Sequence, residues 1–541
     1  MPRVSNPVLP GFHPDPSILR VGDEYYIANS TFEWYPGVEI SRSRDLITWE
    51  TVPSPLSTKK LLDMEGCLPS CGIWAPCLSW SDGLFWLIYT NVRSWNSGVW
   101  KDTPNYLTTA PSIDGPWSDP VYLNSSGFDP SLFHDDDGTK WLVNMEWDYR
   151  QRGKKQFSGI VLQKYSPARK KLTGPVKKIF PGSHIALVEG PHLYKRNGWY
   201  YILAAEGGTW LEHAATVARS RKIDGPYEIH PHNPLISSYG HHELTLQKAG
   251  HASWCDTPDG RTYLAFLCGR PIPGTQTCPL GRETSIVEIE WHDDWPYVKH
   301  EDGGHLTSDG IARNYPYDSF DPPIQPTEYR EMGRCPPATH SITYTFDSDT
   351  IHPDFKNLRT ARDPAVYSLK ARPGFLRLRG GQSPISYFGQ TLLARRQTDF
   401  AFKAEAKLEY SPDYFQQLAG LTWRYDERNQ YLLAVTHDEK KGRIMNVLTF
   451  IAGVFERGED VVVPDEGPLW LGLTVNTRFG RFRYSVDGKN WVELRPELDA
   501  GVLSDEHDSL GFTGAFVGMF CVDTERYAKS ADFEYFSYTV L

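Results

Sequence analysis

One pattern of residues returns five times within the first 300 of this chain, and it limits the folds open to it. Each copy opens on a short polar element, usually with proline, runs into an apolar strand, turns at Gly or Asp, and returns as an aromatic strand. The copies read DPSILRVGDEYYIANS from Asp15, APCLSWSDGLFWLIYT from Ala75, DPSLFHDDDGTKWLVNM from Asp129, EGPHLYKRNGWYYILAA from Glu189 and HASWCDTPDGRTYLAFL from His251, roughly 54–62 residues apart. A third strand follows each, often with a turn of the SRDLITWE or SIDGPWSDP kind (43–50, 112–120, 166–175, 220–227), which makes three to four short strands per unit. A fixed period of this length marks a repeat architecture. Amphipathic helices long enough for an α/β barrel do not separate the strands. The predicted fold is therefore all-β, a five-bladed β-propeller, because radial closure leaves no long exposed sheet edge. The first strand of each blade lines the central channel, so the residues opening the repeats, Asp15, Ala75, Asp129, Glu189 and His251, are expected to meet near one end of the axis. Three of these five are carboxylic acids.

A chain of 541 residues is too long for one ordinary domain. The repeats stop near residue 320, and prolines cluster in DPPIQP from Asp321 and in CPP from Cys335. We read residues 1–325 as the propeller, 326–340 as an ordered linker, and 341–541 as a β-sandwich of jelly-roll type. The last assignment rests on alternating runs such as SITYTFD, FAFKAEAKLEY, YLLAVTHD and GFTGAFVGMFCV.

Composition narrows the function. Lys plus Arg number 56 and Asp plus Glu 67, a formal charge of −11, which is wrong for a nucleic-acid coat. No apolar run is long enough to span a bilayer. The N-terminal MPRVSNPVLPGFHPDP lacks the apolar core of a secretory signal, and the eight cysteines include no CxxC pair. Free thiols and a cytoplasmic location are expected, with neither nucleic acid nor membrane as partner and with a homo-oligomer left open. The 18 Trp, 29 Tyr and 25 Phe form a heavy aromatic load that suits β-sheets and also suits sugar rings.

Aspartate before proline is common in turns, so Asp15-Pro16 and Asp129-Pro130 each have a purely structural reading when taken singly. Convergence with Glu189 in an aromatic pocket changes the balance, since three close acids repel one another and shift their protonation. Two carboxyl groups, one protonated and one ionised, are what glycosidic cleavage requires, and a third can hold the proton distribution in place. Glu189 is the better acid candidate, because its extra methylene reaches a leaving-group oxygen from the channel wall.

The motifs NPVLPGFHPDPSI, GIWAP, GFDPSLF, VEGPHLY and GGTWLEH closely resemble the β-xylosidases of glycoside hydrolase family 43, over essentially the whole chain. The resemblance implies an inverting reaction with Asp15 as general base, Glu189 as general acid and Asp129 as the residue that tunes and orients the acid. Inversion leaves room for a water, with carboxyl groups roughly 6.5–9.5 Å apart. By motif match Phe32, Trp74, Thr209 and Arg282 would line a subsite for one terminal sugar. Trp74 offers a stacking face and Arg282 a fork of donors; the plain alternatives are a blade-core aromatic and an ion pair with Glu283 or a catalytic carboxylate.

The resemblance also implies that a loop of the sandwich closes the pocket, with Phe516 in TGAFVGM as the lid; a core Phe in a strand is the rival reading. His251 would lie beneath the pocket. A divalent cation there is not favoured, since a lone histidine is no ligand set, and no cofactor is expected. His241 and His242 would alternate faces on a strand, and HDDDG at 134–138 reads as a hairpin turn instead of a calcium loop. The predicted activity is exo-acting, inverting hydrolysis of terminal xylose from β-1,4-xylo-oligosaccharides. α-L-Arabinofuranosidase activity is the rival within the chemistry, and a non-catalytic glycan-binding protein the rival outside it.

Overall fold

The computed structural model describes residues 4–96, 98–320, 341–508 and 511–541. The linker expected at 326–340 and both proline clusters, from Asp321 and from Cys335, lie outside these residues. Five four-stranded antiparallel meanders form the first domain, with inner strands Ser17–Val21, Gly72–Ser81, Ser131–His134, Glu189–Arg196 and Gln247–Asp256; the fourth blade carries one extra short strand. Hairpin turns set the register: in the HDDDG turn Asp135 N–H donates to Thr139 O at 2.9 Å, while Gly138 adopts a φ of 81°.

Side-chain hydrogen bonds join neighbouring inner strands. Leu78 N–H donates to Ser17 Oγ at 3.1 Å, Ser131 Oγ to Pro191 O at 2.6 Å, and Trp254 N–H to Tyr194 Oη at 2.9 Å. The ring closes where Ser253 Oγ donates to Pro16 O at 2.7 Å. An N-terminal arm reinforces the seam, as Leu9 N–H and His13 N–H donate to Thr284 O and Arg282 O of blade five, at 3.1 and 2.8 Å.

The second domain is a sandwich of two antiparallel sheets. One is wet on its outer face, as the strict alternation of burial along Phe402–Glu409 shows. In the other, Gln417–Arg424, Gln430–Asp438 and Phe516–Asp523 are buried nearly throughout. Period-two geometry explains this. Leu433, Val435, Val517 and Met519 point into the sandwich core, while Leu432, Ala434, Phe516 and Phe520 point into a core shared with blades one to four.

The domain junction is also polar and paired. Trp34–Tyr35 of blade one forms a two-stranded ladder with Asn357–Leu358. Glu39 is buried among His13 Nε2 at 2.9 Å, Arg396 Nη1 at 2.9 Å and Lys356 Nζ at 2.6 Å, the last two from the sandwich. Burial alone would discourage its charge, but Arg396, Lys356 and His13 hold the carboxyl well below the usual glutamate range.

Candidate active site

The five inner strands share one backbone device. Asp15, Ala75, Asp129, Gly190 and His251 have φ values of 54°, 35°, 54°, 54° and 34°, a region that costs a non-glycine residue roughly 1–3 kcal/mol and clusters at functional sites. Four of the five precede proline. This corrects the register read from the sequence. Glu189 is not level with Asp15 and Asp129: Gly190 is, and Glu189 stands one residue earlier, level with Trp74 and Phe128. A Cβ on Gly190 would come within 2.8 Å of His251 Nε2, so the imidazole fills the place of a side chain there. Asp15 and Asp129 are buried, whereas Glu189 keeps partial access.

These side chains line one cavity of about 260 Å³, just below the ~300–1,000 Å³ usual for drug-sized ligands. Asp15, Phe32, Trp74, Asp129, Glu189, Thr209, His251 and Arg282 all face it. The structure thus brings together every residue the motifs singled out except Phe516. That residue is fully buried outside the cavity, stacked on Trp34 with ring centroids 3.7 Å apart. Strand alternation aims it at the shared domain core. The sandwich residue on the cavity wall is Phe512, four positions earlier, whose ring lies 4.6 Å from Trp95, 5.4 Å from Trp74 and 5.8 Å from Phe32.

Phe512 is held by two blades of the propeller. Its N–H donates to Ser70 Oγ at 3.0 Å, and its carbonyl accepts from Arg282 Nη2 at 2.9 Å. The same Ser70 accepts from Trp74 Nε1 through its carbonyl at 2.9 Å. Glu506, further back in the loop, pairs with Lys248 of blade five and accepts from Cys278 N–H at 2.9 Å.

The carboxyl groups differ in their surroundings. Asp15 accepts from Ser30 Oγ at 2.6 Å and Arg282 Nη1 at 3.2 Å, with His251 Nδ1 at 3.4 Å. Burial works against its charge, yet Arg282, His251 and Ser30 together hold it below the usual aspartate range. Arg282 therefore pairs with a carboxylate of the site, while the adjacent Glu283 takes Arg270 at 2.7 Å. Asp129 is pushed well up by burial, then by Glu189 and Asp15. Glu189 is pushed up by its withdrawal from water and then by Asp15, against weaker opposition from Arg282 and Lys101. Asp129 Oδ2 also accepts the Gly190 N–H at 3.1 Å, which ties it to the backbone carrying Glu189.

Sequence reasoning missed Trp95, Lys101, Phe128, Trp147, Phe157, Trp210 and His213 on the wall. Phe128 and Trp74 were legible as the neighbours of the repeat-opening residues. Lys101 has no such signal. It donates to Trp95 O at 2.7 Å and stands 4.3 Å from the Trp147 ring centre, and burial lowers its pKa to about 8. His213 ends the GGTWLEH motif; both of its ring nitrogens are buried without a hydrogen-bond partner among the described residues, so they are open to whatever fills the cavity.

A ring of short antiparallel sheets, a sugar-sized aromatic cavity at its axis, and one carboxylate paired with arginine facing two whose neutral forms burial favours define a glycoside hydrolase. The chain belongs to the glycosyl hydrolases of family 43, whose model matches residues 4–296; residues 343–539 match the β-xylosidase C-terminal concanavalin A-like domain. It is 50% identical to xylosidase/arabinosidase 43B of Humicola insolens, covering 99% of this chain and 98% of that one. It is 45% identical to a β-xylosidase of Bacillus subtilis, covering 99% of both. The crystal structure of a xylan β-1,4-xylosidase from Bacillus halodurans superposes with a TM-score of 0.92 at 49% identity, covering 99% of this chain and 100% of that one.

Proposed function

We propose that this protein is an exo-acting, inverting β-D-xylosidase that releases xylose from the non-reducing ends of β-1,4-xylo-oligosaccharides. The observation that carries the reading is three carboxyl groups converging on one small cavity, with Asp15 paired to the Arg282 guanidinium. Asp15, kept ionised by Arg282, takes a proton from the attacking water. Glu189, kept protonated beside it, gives its proton to the departing glycosidic oxygen as the bond to the anomeric carbon breaks. Asp129 accepts the Gly190 N–H and so holds the peptide that carries Glu189.

The cavity shape supports exo action. Asp15, Phe32, Asp129, His213, His251, Arg282 and Phe512 bury its inner end, whereas Leu187, Thr209 and Trp210 border the exposed side. A chain can enter only by its end. Trp74 and Phe32 offer apolar faces, and Arg282 Nε, buried without a hydrogen-bond partner among the described residues, offers a donor to a sugar hydroxyl. The Arg282 guanidinium already supplies positive charge beside Asp15, where a cation near His251 would act, so the reaction is proposed to need no metal. The name of the Humicola relative favours a second reading, release of terminal α-L-arabinofuranose by the same pocket, as a side activity.

Proton NMR of xylotriose hydrolysis tests the proposal. α-Xylose should appear first, together with xylobiose, before mutarotation sets in. Early β-xylose would mean retention and would remove Asp15 from the role of base.

A further inference from the structure

Blade five carries a second cluster of chemistry-bearing side chains, at the opposite end of the strand Arg282–His292 from the pocket residue Arg282. Glu290 and His292 lie two apart on the strand Arg282–His292, so they share a face. His305 comes to them from the segment that follows the last strand of the blade. There Arg313 N–H donates to His305 O at 2.8 Å and His300 Nε2 meets Arg313 O at 2.9 Å, which folds the segment back on itself. Glu290 Oε1 lies 3.0 Å from His292 Nε2 and 3.4 Å from His305 Nδ1. The two imidazoles stack with centroids 3.9 Å apart, against Tyr297. One ligand atom from each residue lies within 4.8 Å of the other two.

We propose that Glu290, His292 and His305 form a binding site for a divalent transition ion of the zinc type, which fastens the segment around His305 to blade five. The donor set selects the ion: two imidazoles and one carboxylate suit zinc, whereas calcium and magnesium take oxygen. The spacing fits as well. Bonds of ~2.0–2.1 Å in a tetrahedron put neighbouring ligand atoms about 3.3 Å apart, and the two nitrogen–oxygen separations, 3.0 and 3.4 Å, bracket that length. Glu290 and His305 are partly buried and His292 is exposed, so water has access to the fourth position. Binding displaces the protons that the imidazole nitrogens share with Glu290. The site uses no residue of the catalytic cavity, and its role is structural.

The test is equilibrium dialysis of chelator-treated protein against zinc sulfate, with metal analysis, and a thermal melt with and without zinc. The expected result is one zinc per chain, a melting temperature raised by the ion, and at least tenfold weaker binding in His292→Ala and in His305→Ala. Glu290→Gln should fold normally and also bind more weakly. None of these variants should change xylosidase activity measured in chelator. Calcium and magnesium should neither bind there nor raise the melting temperature. No bound zinc, or equal zinc affinity in wild type and His292→Ala/His305→Ala, would overturn the proposal; the second outcome would place the ion elsewhere on the chain.

Discussion

Removing Glu189 should separate substrates by how much their leaving groups need a proton. Glu189 is held in its protonated form because the cavity withdraws it from water and because Asp15 faces it with a charge that Arg282 stabilises. A positioned general acid contributes ~10²–10⁴-fold, equivalent to ~3–5 kcal/mol of barrier. In Glu189→Ala that whole factor should vanish from kcat/KM on xylobiose, whose leaving oxygen is strongly basic. An aryl xyloside with a weakly basic phenolate leaving group should lose less than tenfold, since the bond breaks without help. The pH profile gives a second readout. An acid with a raised pKa is active below it, so the alkaline limb of wild-type kcat/KM should lie above the ordinary carboxylate range, with activity lost as pH rises through the Glu189–Asp129 pair. The acidic limb should lie at low pH, where Asp15 takes up its proton. With the aryl substrate the variant should keep the acidic limb and lose the dependence on the alkaline one. Equal losses on both substrates, or an unmoved alkaline limb, would refute the assignment of Glu189 as acid.

Two further substitutions address how the domains cooperate. Phe512→Ala should raise KM for xylobiose by about tenfold, ~1.4 kcal/mol, with little change in melting temperature, whereas Phe516→Ala should cost ~3–5 kcal/mol of stability and leave KM near wild type; kinetics and denaturant melts decide, and the reverse pattern would restore Phe516 as the lid. Glu39→Gln should destabilise the protein by ~3–5 kcal/mol, because it leaves the buried Arg396 and Lys356 without their shared carboxylate; an unchanged urea midpoint would show that the junction does not depend on that charge.

The propeller was legible because its blades repeat. Five copies of one strand–turn–strand pattern carry their own period, and hairpins between short strands are local events set by residues such as Gly138. The sandwich was legible as a class, from runs such as FKAEAKLE, YLLAVTHD and GFTGAFVGMFCV, but the burial of one sheet on both faces was not, because only docking on the propeller covers its outer face. That limit also explains Phe516. Its motif lies where the chain passes from the pocket loop into a strand, and nothing local distinguishes Phe512, on the loop, from Phe516, on the strand.

The acids show a similar division. Their identity was in the sequence, and so was their convergence, since each stands at the start of an inner strand. The offset of Glu189 was not, because it follows from a left-handed residue at Gly190 and from His251 occupying the space beside it. The sequence alone determined that three carboxylic acids meet in an aromatic channel, because periodicity and residue chemistry are local properties. Only the tertiary structure decided which of them is ionised, which aromatic ring closes the pocket, and that Glu290, His292 and His305 meet on blade five. Those outcomes depend on Arg282, Phe512 and His305 reaching across long stretches of chain, and distances of that kind exist only once the ring has closed and the sandwich has docked.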